Sequence, residues 1–247
     1  MRLKDKVALV TGSARGIGAA IAERLAADGA VVAVNYVKAA GEAEGVAERI
    51  RRAGGKAIIL QADVGDWSQA KALVEKAGQA LGRLDILVNN AADIRFRPLK
   101  NISLTESREQ FAVNFEGPLA TMQAALPFFP QEGGRIINIS SLAVPNPIAN
   151  HILYTASKSA TEAMTQVAAA ELGERGITVN VVRPGMTATD AGREHLTEEA
   201  EAFLASRTPL GRIGQPSDIA DVVAFLASPD ARWITGQVLM ATGGLRP

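Results

Sequence analysis

Tyr154 and Lys158 lie four positions apart in the segment YTASK. In a helix, residues at this spacing share one face, so the lysine ammonium would lie beside the tyrosine phenol. A phenol ordinarily titrates at a pH of about 10, and a nearby positive charge lowers that pKa. The pair therefore predicts a general acid or base that works at neutral pH. The same pair also occurs on ordinary helix surfaces, so its meaning depends on the residues around it.

Two hydroxyl side chains precede this pair in the chain. The segment RIINISS is typical of a buried strand that ends at Ser140 and Ser141. Open α/β sheets bind their ligands at the carboxyl ends of the strands. Ser141 is therefore a candidate hydrogen-bond donor to a substrate oxygen on which charge develops.

The segment TGSARGIG follows the first predicted strand and has glycines where a dinucleotide-binding loop needs them. Gly12 allows a tight turn, Gly16 lets the backbone approach a pyrophosphate, and Gly18 permits close helix packing. A helix that begins near Ile17 would present free N–H groups to that phosphate. The spacing G-x-x-x-G-x-G is one residue longer than the commonest fingerprint, and a plain tight turn is the alternative.

The end of the second predicted strand indicates which dinucleotide binds. It reads Asn35-Tyr36-Val37-Lys38, without the carboxylate that would bond an adenosine ribose diol. A phosphate on that ribose would meet no repulsion, and Arg15 with Lys38 could pair with it. The sequence therefore favours NADP(H), with NAD(H) as the second choice. The alternative is that these two cations are only solvated.

Short apolar runs alternate with helix-period segments along the chain. This alternation predicts an α/β fold with a parallel, doubly wound sheet whose strands are buried on both faces. We expect about seven strands, helices on both faces and a single Rossmann-type domain over residues 1–247. The segment 186–207 is more polar and follows Pro184-Gly185, so we expect a mobile substrate flap with short helices. The predicted strands lie at 6–10, 31–36, 57–60, 84–88, 135–139 and 177–182, and the helices at 17–27, 42–52 and 69–81.

The composition excludes several classes of chemistry. The chain has 26 basic and 26 acidic residues, so no net charge favours nucleic acid or an anionic membrane. It has no cysteine, which excludes thiolate catalysis and disulfides and suits the cytoplasm. His151 and His195 are too few for a three-histidine metal site, so no metal is expected. No apolar run is long enough for a signal-peptide core or a membrane span.

These segments together resemble the short-chain dehydrogenase/reductase family, and the resemblance covers essentially the whole chain. Besides TGSARGIG and YTASK, the matching motifs are DV at 63–64, NNAA at 89–92, RPG at 183–185 and the closing GRIGQPSDIADVVAFLAS. Ala92 stands where the family more often has glycine, and Ala241-Thr242 where valine and aspartate are common. The methyl group of Ala92 could narrow or shift the loop that faces a nicotinamide.

The resemblance implies an active site and a reaction. Ser141, rather than Ser140, stands at the family's spacing before Tyr154, and Ser140 is expected to have a structural partner. Asn114 matches the asparagine that holds a water linking Lys158 to solvent. Tyr154 would protonate a carbonyl oxygen held by Ser141 while the cofactor delivers hydride, and oxidation would reverse these steps. The implied catalytic residues are Ser141, Tyr154, Lys158 and Asn114, and the implied cofactor-binding residues are Gly12, Ser13, Arg15, Gly16, Ile17, Gly18, Tyr36, Lys38, Asp63, Val64, Asn90, Ala91, Ala92, Tyr154, Lys158, Pro184, Gly185 and Thr187.

The segment LAVPNPIANHIL lies between the catalytic serine and tyrosine and is expected to line a mostly apolar substrate pocket. Within it, Asn150 and His151 could add polar contacts. We expect His151 to be a wall residue of the pocket rather than an acid or base. His195 is expected to be an exposed residue of the flap.

Three kinds of function remain open. The first is an NADP(H)-dependent oxidoreductase that acts on a small, mostly apolar carbonyl compound or secondary alcohol. A variant of this function is a reductase of carrier-bound 3-oxoacyl chains, which would need a basic docking area for an acidic carrier protein. The segment before the fifth strand has the acidic Glu132 instead, and Arg95, Arg97 and Lys100 are expected to be solvated at the surface. The others are a catalytically silent dinucleotide sensor and a lyase or epimerase. Small side chains after Lys158 permit close helix packing, and the resemblance implies a homotetramer, with a dimer as the alternative.

Overall fold

The structure is a computed structural model, which describes residues 1–146, 148–189 and 197–245. The strands among these residues are β1 (Val7–Val10), β2 (Val31–Tyr36), β3 (Lys56–Gln61), β4 (Ile86–Asn89), β5 (Arg135–Ile139), β6 (Thr178–Pro184) and β7 (Val238–Ala241). They form one parallel sheet in the order β3-β2-β1-β4-β5-β6-β7. The order reverses between β1 and β4, where doubly wound sheets open a ligand-binding crevice. The predicted fold class is confirmed.

Helices cover both faces of this sheet. The described α-helices are α1 (Gly16–Ala27), α2 (Ala40–Arg52), α3 (Trp67–Leu81), α4 (Leu104–Phe111), α5 (Gly117–Ala125), α6 (Ile152–Leu172), α7 (Glu198–Arg207) and α8 (Pro216–Ala227). A π-helix at Ala112–Glu116 joins α4 to α5. Helices α1, α2 and α8 contribute to one buried apolar cluster, and α3, α5 and α6 contribute to the other. The sheet therefore separates two hydrophobic cores.

Strand β1 shows why uniformly apolar runs predict a sheet that is covered on both faces. Consecutive side chains of a strand point to opposite faces. Ala8 and Val10 join the cluster with α1, whereas Val7 and Leu9 join the cluster with α3. All four residues are at most 5% exposed. Full burial of a side chain such as Leu9 stabilises the fold by about 1.5–3 kcal/mol.

The predicted boundaries of these strands and helices agree with the structure to within two residues. Helix α3 begins two residues before its predicted start, because the Asp66 carboxylate accepts hydrogen bonds from the N–H groups of Ser68 and Gln69. Of the predicted flap, the structure describes 186–189 and 197–207, whereas 190–196, with His195, lie outside the described residues. Among the described helices, none is long and apolar enough to cross a membrane.

Candidate active site

The glycine loop, residues 11–18, packs against the end of β4 with no room for side chains at two positions. A methyl group added to Gly12 would lie 2.9 Å from the Cα atom of Ala91, and one added to Gly18 would lie 2.5 Å from Nδ2 of Asn90. Gly12 and Gly16 also adopt φ angles of +61° and +57°, where other residues are strained. The loop therefore needs glycine for close packing and for a left-handed turn.

Buried neutral side chains hold this loop on the sheet. Asn35 accepts a hydrogen bond from the Gly12 N–H at 3.0 Å and donates from Nδ2 to the Ala62 carbonyl at 3.1 Å. The Ser13 hydroxyl donates to the Val10 carbonyl at 2.7 Å and accepts from the Asn35 N–H at 3.0 Å. Ser13 is fully buried, and its backbone N–H also donates to the Asn35 carbonyl at 2.9 Å, so both its side chain and its N–H position the loop.

The first turn of α1 offers a site for an anion. Within the described chain, no side chain caps its N–H groups, and its N-cap residue, Arg15, is exposed. Among the described residues, a methyl group added to Gly16 would come within 4 Å of Thr189 alone, at 3.4 Å. The side chains of Arg15 and Lys38 are exposed and form no ion pair with any described residue. Free N–H groups at a helix N-terminus, together with these two cations, fit the phosphates of a dinucleotide.

The remaining predicted cofactor-binding residues surround the same edge of the sheet. Asn90 donates from Nδ2 to the carbonyls of Thr11 and Gly12, at 3.0 and 3.1 Å. The Thr187 hydroxyl donates to the Gly185 carbonyl at 3.0 Å. The ends of β2, β3, β4 and β6 carry Tyr36, Asp63, Val64, Ala91, Ala92 and Pro184, and Ile17 lies in the first turn of α1.

Tyr154 lies in the first turn of α6 and Lys158 one turn later, and both side chains are buried. The Lys158 Nζ atom lies 6.0 Å from the centroid of the Tyr154 ring and donates to the Ile139 carbonyl at 2.8 Å. Burial lowers the pKa of Lys158 to about 8, and the charge of Glu162 opposes that shift. Lys158 is therefore still mainly protonated at neutral pH.

The Tyr154 phenol is more enclosed than the sequence predicts. Burial raises its pKa above the usual value because water no longer solvates the phenolate, and a hydrogen bond with Ser141 acts in the opposite direction. The net lowering of this pKa expected from Lys158 is not found, because burial is the larger effect and the ammonium donates its hydrogen bond to the Ile139 carbonyl. The phenol is therefore a proton donor at neutral pH.

The two serines after β5 have different surroundings. Ser141 is half-buried, lies beside Tyr154 and accepts a hydrogen bond at 3.1 Å from the backbone N–H two residues later. Ser140 is buried and donates to Oε1 of Glu162 at 2.5 Å. The Glu162 carboxylate also accepts from the Arg183 guanidinium at 2.6 and 3.0 Å. The structural partner predicted for Ser140 is confirmed, and Ser141 is the serine beside the phenol.

Asn114 lies in the π-helix and is fully buried. Its Oδ1 accepts from the Asp93 N–H at 2.8 Å, and its Nδ2 donates to the Asp93 carbonyl at 2.9 Å and to the Ser157 hydroxyl at 3.1 Å. Short π-helical turns inside helices often occur at functional sites. The Asn114 amide therefore joins the segment after β4 to α6, one residue before Lys158.

A cavity of about 480 Å³ opens beside the N-terminus of α6. The His151 ring stacks on Phe96 with centroids 3.8 Å apart, and Phe96 meets the Tyr154 ring edge-on at 6.4 Å. Nδ1 of His151 lies 2.8 Å from the Ala149 carbonyl, which can only accept, so Nδ1 carries a proton. His151 thus lines this cavity, whereas Ser141 and Tyr154 are not among its lining residues. The cavity is lined by Arg97, Leu99, Ile148, Ala149, Asn150, His151, Ile152, Thr155 and Ala156.

The two arginines of the loop after β4 are already paired with carboxylates. Arg95 forms ion pairs with Asp93 and Glu109, and Arg97 pairs with Glu106 at 3.0 Å. The predicted surface position is found for Arg97 and Lys100, which are exposed, but the two arginines are also ion-paired, which the sequence does not predict. Their charges are balanced within the chain, so they do not form a free basic patch for an anionic partner.

Comparison with known proteins relates this geometry to a family. A family model described as "Enoyl-(Acyl carrier protein) reductase" matches residues 12–246. The chain belongs to the short-chain dehydrogenase/reductase family. This membership confirms the resemblance that the glycine loop and the YTASK segment indicate.

Curated relatives of this short-chain dehydrogenase/reductase match it over nearly its full length. It is 49% identical to an uncharacterized oxidoreductase of Methylorubrum extorquens, with 99% of each chain covered. It is 40% identical to a hydroxynaphthalene reductase of Aspergillus fumigatus, over 95% of this chain and 90% of the relative. It is 41% identical to a 3-oxoacyl-[acyl-carrier-protein] reductase of Staphylococcus aureus, over 97% of this chain and 98% of the relative.

Solved structures of the family match the fold over the same extent. A blue fluorescent protein from a metagenomic library, in complex with NADPH, has a TM-score of 0.94 and 42% identity, and the match covers 100% of both chains. A short-chain dehydrogenase of Burkholderia cenocepacia, in complex with NADP, has a TM-score of 0.93 and 42% identity, and the match covers 99% of both chains.

The departure from the family pattern at Ala92 involves no backbone strain in this short-chain dehydrogenase/reductase. Among the described residues, Asp5 and Asn150 are the non-glycine residues with positive φ. Ala92 therefore has an ordinary backbone conformation, and its side chain is exposed at the end of β4. Glycine is not required by conformation at this position.

Sequence reasoning missed three polar side chains of the site, namely the buried Asn35 and Glu162 and the half-buried Arg183. For two of them, the sequence contains a pattern that could have indicated a buried polar contact. Asn35 interrupts an otherwise apolar strand, and Glu162 lies one helical turn beyond Lys158 on the same face of α6. Buried polar groups are normally hydrogen-bonded, so a polar residue in a buried pattern indicates a specific partner.

Proposed function

We propose that this short-chain dehydrogenase/reductase is an NADP(H)-dependent oxidoreductase that interconverts a carbonyl group and a secondary alcohol. The observation that carries the proposal is the buried Tyr154 phenol, which has Ser141 and the Lys158 ammonium beside it at the edge of the sheet with the glycine loop. The relatives named as hydroxynaphthalene and 3-oxoacyl-[acyl-carrier-protein] reductases support reduction of a carbonyl group.

The glycine loop and the first turn of α1 would hold the diphosphate of the cofactor. The side chains of Arg15 and Lys38, which form no ion pair with any described residue, would pair with a phosphate on the adenosine ribose. The related structures in complex with NADPH and NADP support the choice of NADP(H) as cofactor. NAD(H) is the second choice. Lys158 would also bond the nicotinamide ribose. When bound, the nicotinamide supplies or accepts the hydride.

Tyr154 is the residue that moves the proton. In reduction, the Ser141 hydroxyl donates a hydrogen bond to the carbonyl oxygen, and Tyr154 transfers its proton to that oxygen as negative charge develops. Burial keeps the phenol protonated until that moment, and the Lys158 ammonium then stabilises the phenolate that is left. Asn114 anchors α6, and by resemblance to the family it would also hold a water through which the proton returns. Alcohol oxidation uses the same groups in reverse.

The proposed substrate is a small, mostly apolar carbonyl compound. Aliphatic side chains supply much of the cavity wall, and Phe96 presents a ring that is 40% exposed and contacts Tyr154. An aromatic ketone suits these surfaces, and the name of the Aspergillus fumigatus relative agrees with such a substrate.

A carrier-bound 3-oxoacyl chain is the second candidate substrate. The name of the Staphylococcus aureus relative favours it. An acidic carrier protein needs a basic docking area, however, and Arg95 and Arg97 are paired with carboxylates, so within the loop after β4 Lys100 is the basic residue without an ion pair to a described residue. We therefore rank this substrate below a free ketone.

The proposed working form is a single-domain cytoplasmic protein that assembles into a homotetramer, with a dimer as the alternative. Leu104 on α4 and Val167 on α6 are 66% and 59% exposed, and burial against another copy would remove such apolar surface from water. Residues 186–207 are proposed to act as a substrate flap. Thr189, near the start of this segment, lies close to Gly16 of the glycine loop.

The proposal is tested by mixing the protein with aliphatic ketones, aromatic ketones and alcohols and following nicotinamide absorbance with both cofactor pairs. Turnover with NADPH supports it. Tight NADPH binding without turnover across the panel would indicate a dinucleotide sensor instead. Product formation without net cofactor consumption would indicate a lyase or an epimerase.

A further inference from the structure

A buried carboxylate that the proposed reaction does not use lies one helical turn beyond Lys158. Glu162 is 8% exposed. Its carboxylate accepts from the Ser140 hydroxyl at 2.5 Å and from both Nε and a terminal nitrogen of Arg183, at 3.0 and 2.6 Å. A carboxylate at this depth is costly unless it is paired and hydrogen-bonded in this way.

Each partner of Glu162 is next to a part of the proposed site. Ser140 directly precedes Ser141, and Arg183 directly precedes the Pro184-Gly185 segment predicted to contact the cofactor. The Lys158 ammonium donates to the carbonyl of the residue immediately before Ser140. One carboxylate thus joins α6, which carries the tyrosine and the lysine, to the carboxyl ends of β5 and β6.

We propose that Glu162 is a positioning residue, which fixes Ser141 and Lys158 relative to Tyr154 through its bonds to Ser140 and Arg183. This role rests on the oxidoreductase function proposed above. If the two strand ends shift against α6, the serine and the tyrosine no longer meet one substrate oxygen. Removing the carboxylate should therefore slow the chemical step more than it weakens cofactor binding.

The charge of Glu162 gives the role a pH signature. Burial lowers the pKa of Lys158 to about 8, and the Glu162 carboxylate holds it up against that effect. On α6, the ionisable groups near the ammonium are Tyr154 and Glu162. On β6, Arg183 pairs with Glu162, which lies between it and the ammonium. The end of β5 contributes serine hydroxyls and the Ile139 carbonyl, and the π-helix contributes the neutral Asn114. Without the carboxylate, the pKa of Lys158 should be lower, so Lys158 should lose its proton at a lower pH.

The main variant is the double substitution Glu162→Gln with Arg183→Met, because it leaves neither charge buried without its partner. It should keep the circular dichroism spectrum of the wild type and bind NADPH with affinity within about threefold of the wild type, since no phosphate contact is removed. Its kcat should fall about tenfold with little change in KM. The single variant Glu162→Gln removes the carboxylate but keeps the Arg183 cation, so it should move the alkaline limb of the pH profile to lower pH.

Two further variants separate charge from position. Glu162→Asp keeps the negative charge on a side chain that is shorter by one methylene group. The alkaline limb of its pH profile should therefore lie where it does in the wild type, whereas its kcat should stay low. Glu171→Gln removes an exposed glutamate from the same helix and should change neither property. A folded double variant with the kcat of the wild type would overturn the inference.

A variant that avoids burying an unpaired charge covers the case in which the double variant does not fold. Ser140→Ala removes one of the hydrogen bonds to Glu162 and should lower kcat by about threefold or more while leaving the pH limb in place. Full activity in Ser140→Ala, together with full activity in Glu162→Asp, would reject a positioning role.

Titration of Lys158 tests the charge effect without any substrate. NMR of protein labelled with ¹³C in its lysines, with the signal assigned through Lys158→Arg, gives the pKa of this ammonium directly. A lower pKa in Glu162→Gln, combined with no ketone turnover by the wild type, would reject the proposed function and the positioning role, and would show only that the carboxylate acts on the charge of Lys158. An unchanged pKa would count against the inference even in an active enzyme.

Discussion

The two sides of the site are held together by different kinds of contact. On the glycine-loop side, formed by β1, β2 and β4, Asn35, Ser13 and Asn90 bond to backbone groups and carry no charge. On the tyrosine side, formed by β5, β6 and α6, the buried contacts include the ammonium of Lys158 and the ion pair of Glu162 with Arg183.

The difference follows from what each side has to do. The glycine loop presents backbone N–H groups to a ligand, so position matters, and neutral hydrogen bonds fix position without the desolvation cost of a charge. The tyrosine side moves a proton, so the charges around the phenol matter, and a charge acts more strongly away from water. Substitutions on the glycine-loop side should therefore change cofactor affinity, and those on the tyrosine side should change turnover, pH dependence and stability.

The largest expected effect is on the tyrosine side. Tyr154→Phe removes the hydroxyl but keeps the ring against Phe96, so kcat for ketone reduction should fall by about 1,000-fold. Binding of NADPH, followed by its fluorescence, should stay close to that of the wild type because the glycine loop is untouched. A variant that retains a tenth of the activity would remove Tyr154 from the mechanism.

The buried ammonium of Lys158 should make stability depend on pH. Its pKa in the folded protein, about 8, lies below the ordinary value of 10.5. Between these values the unfolded chain binds more protons than the folded one, so the free energy of unfolding rises with pH across this window. At about 1.4 kcal/mol per pKa unit, the ammonium costs about 3 kcal/mol of stability at neutral pH.

Lys158→Met removes this cost, so its stability relative to the wild type should fall by about 3 kcal/mol between neutral pH and about pH 10. Urea unfolding at several pH values measures the trend. Lys76→Met, at an exposed position of α3, is the matched control, and its stability relative to the wild type should not change with pH. A relative stability of Lys158→Met that is flat with pH would show that the ammonium is not held in a desolvated site.

On the glycine-loop side, the expected effects come from packing. The methyl group of Gly18→Ala would lie 2.5 Å from Asn90 Nδ2, so the loop has to move, at a cost of about 1–3 kcal/mol. NADPH affinity should fall about tenfold or more, as measured by fluorescence titration. Gly41→Ala, also in a helix, has no atom within 4 Å of the added methyl and should leave affinity unchanged. Equal losses in both variants would remove the special role of Gly18.

The two sides also differ in how much of them the sequence predicts. Glycine spacing and an apolar strand are local patterns, so the loop, β2 and the parallel, doubly wound class of the sheet follow from them. The ion pair of Glu162 with Arg183 joins two elements 21 positions apart, and the enclosure of Tyr154 involves Phe96 from a distant loop. No local pattern fixes such contacts. The sequence-based sign of the Tyr154 pKa shift, which depends on that enclosure, is therefore wrong.

The smallest effect concerns cofactor choice on the glycine-loop side. Arg15 is exposed and its side chain has no carboxylate partner among the described residues, so its charge is available to a ribose phosphate. Arg15→Ala should weaken NADPH by about tenfold, the size expected of one charge-assisted hydrogen bond, and leave NADH nearly unchanged. Arg52→Ala, at an exposed arginine paired with Glu48, is the control and should affect neither cofactor. Equal weakening of NADPH and NADH would show that Arg15 does not read the ribose phosphate, and preference for NADP(H) would then depend on Lys38 alone.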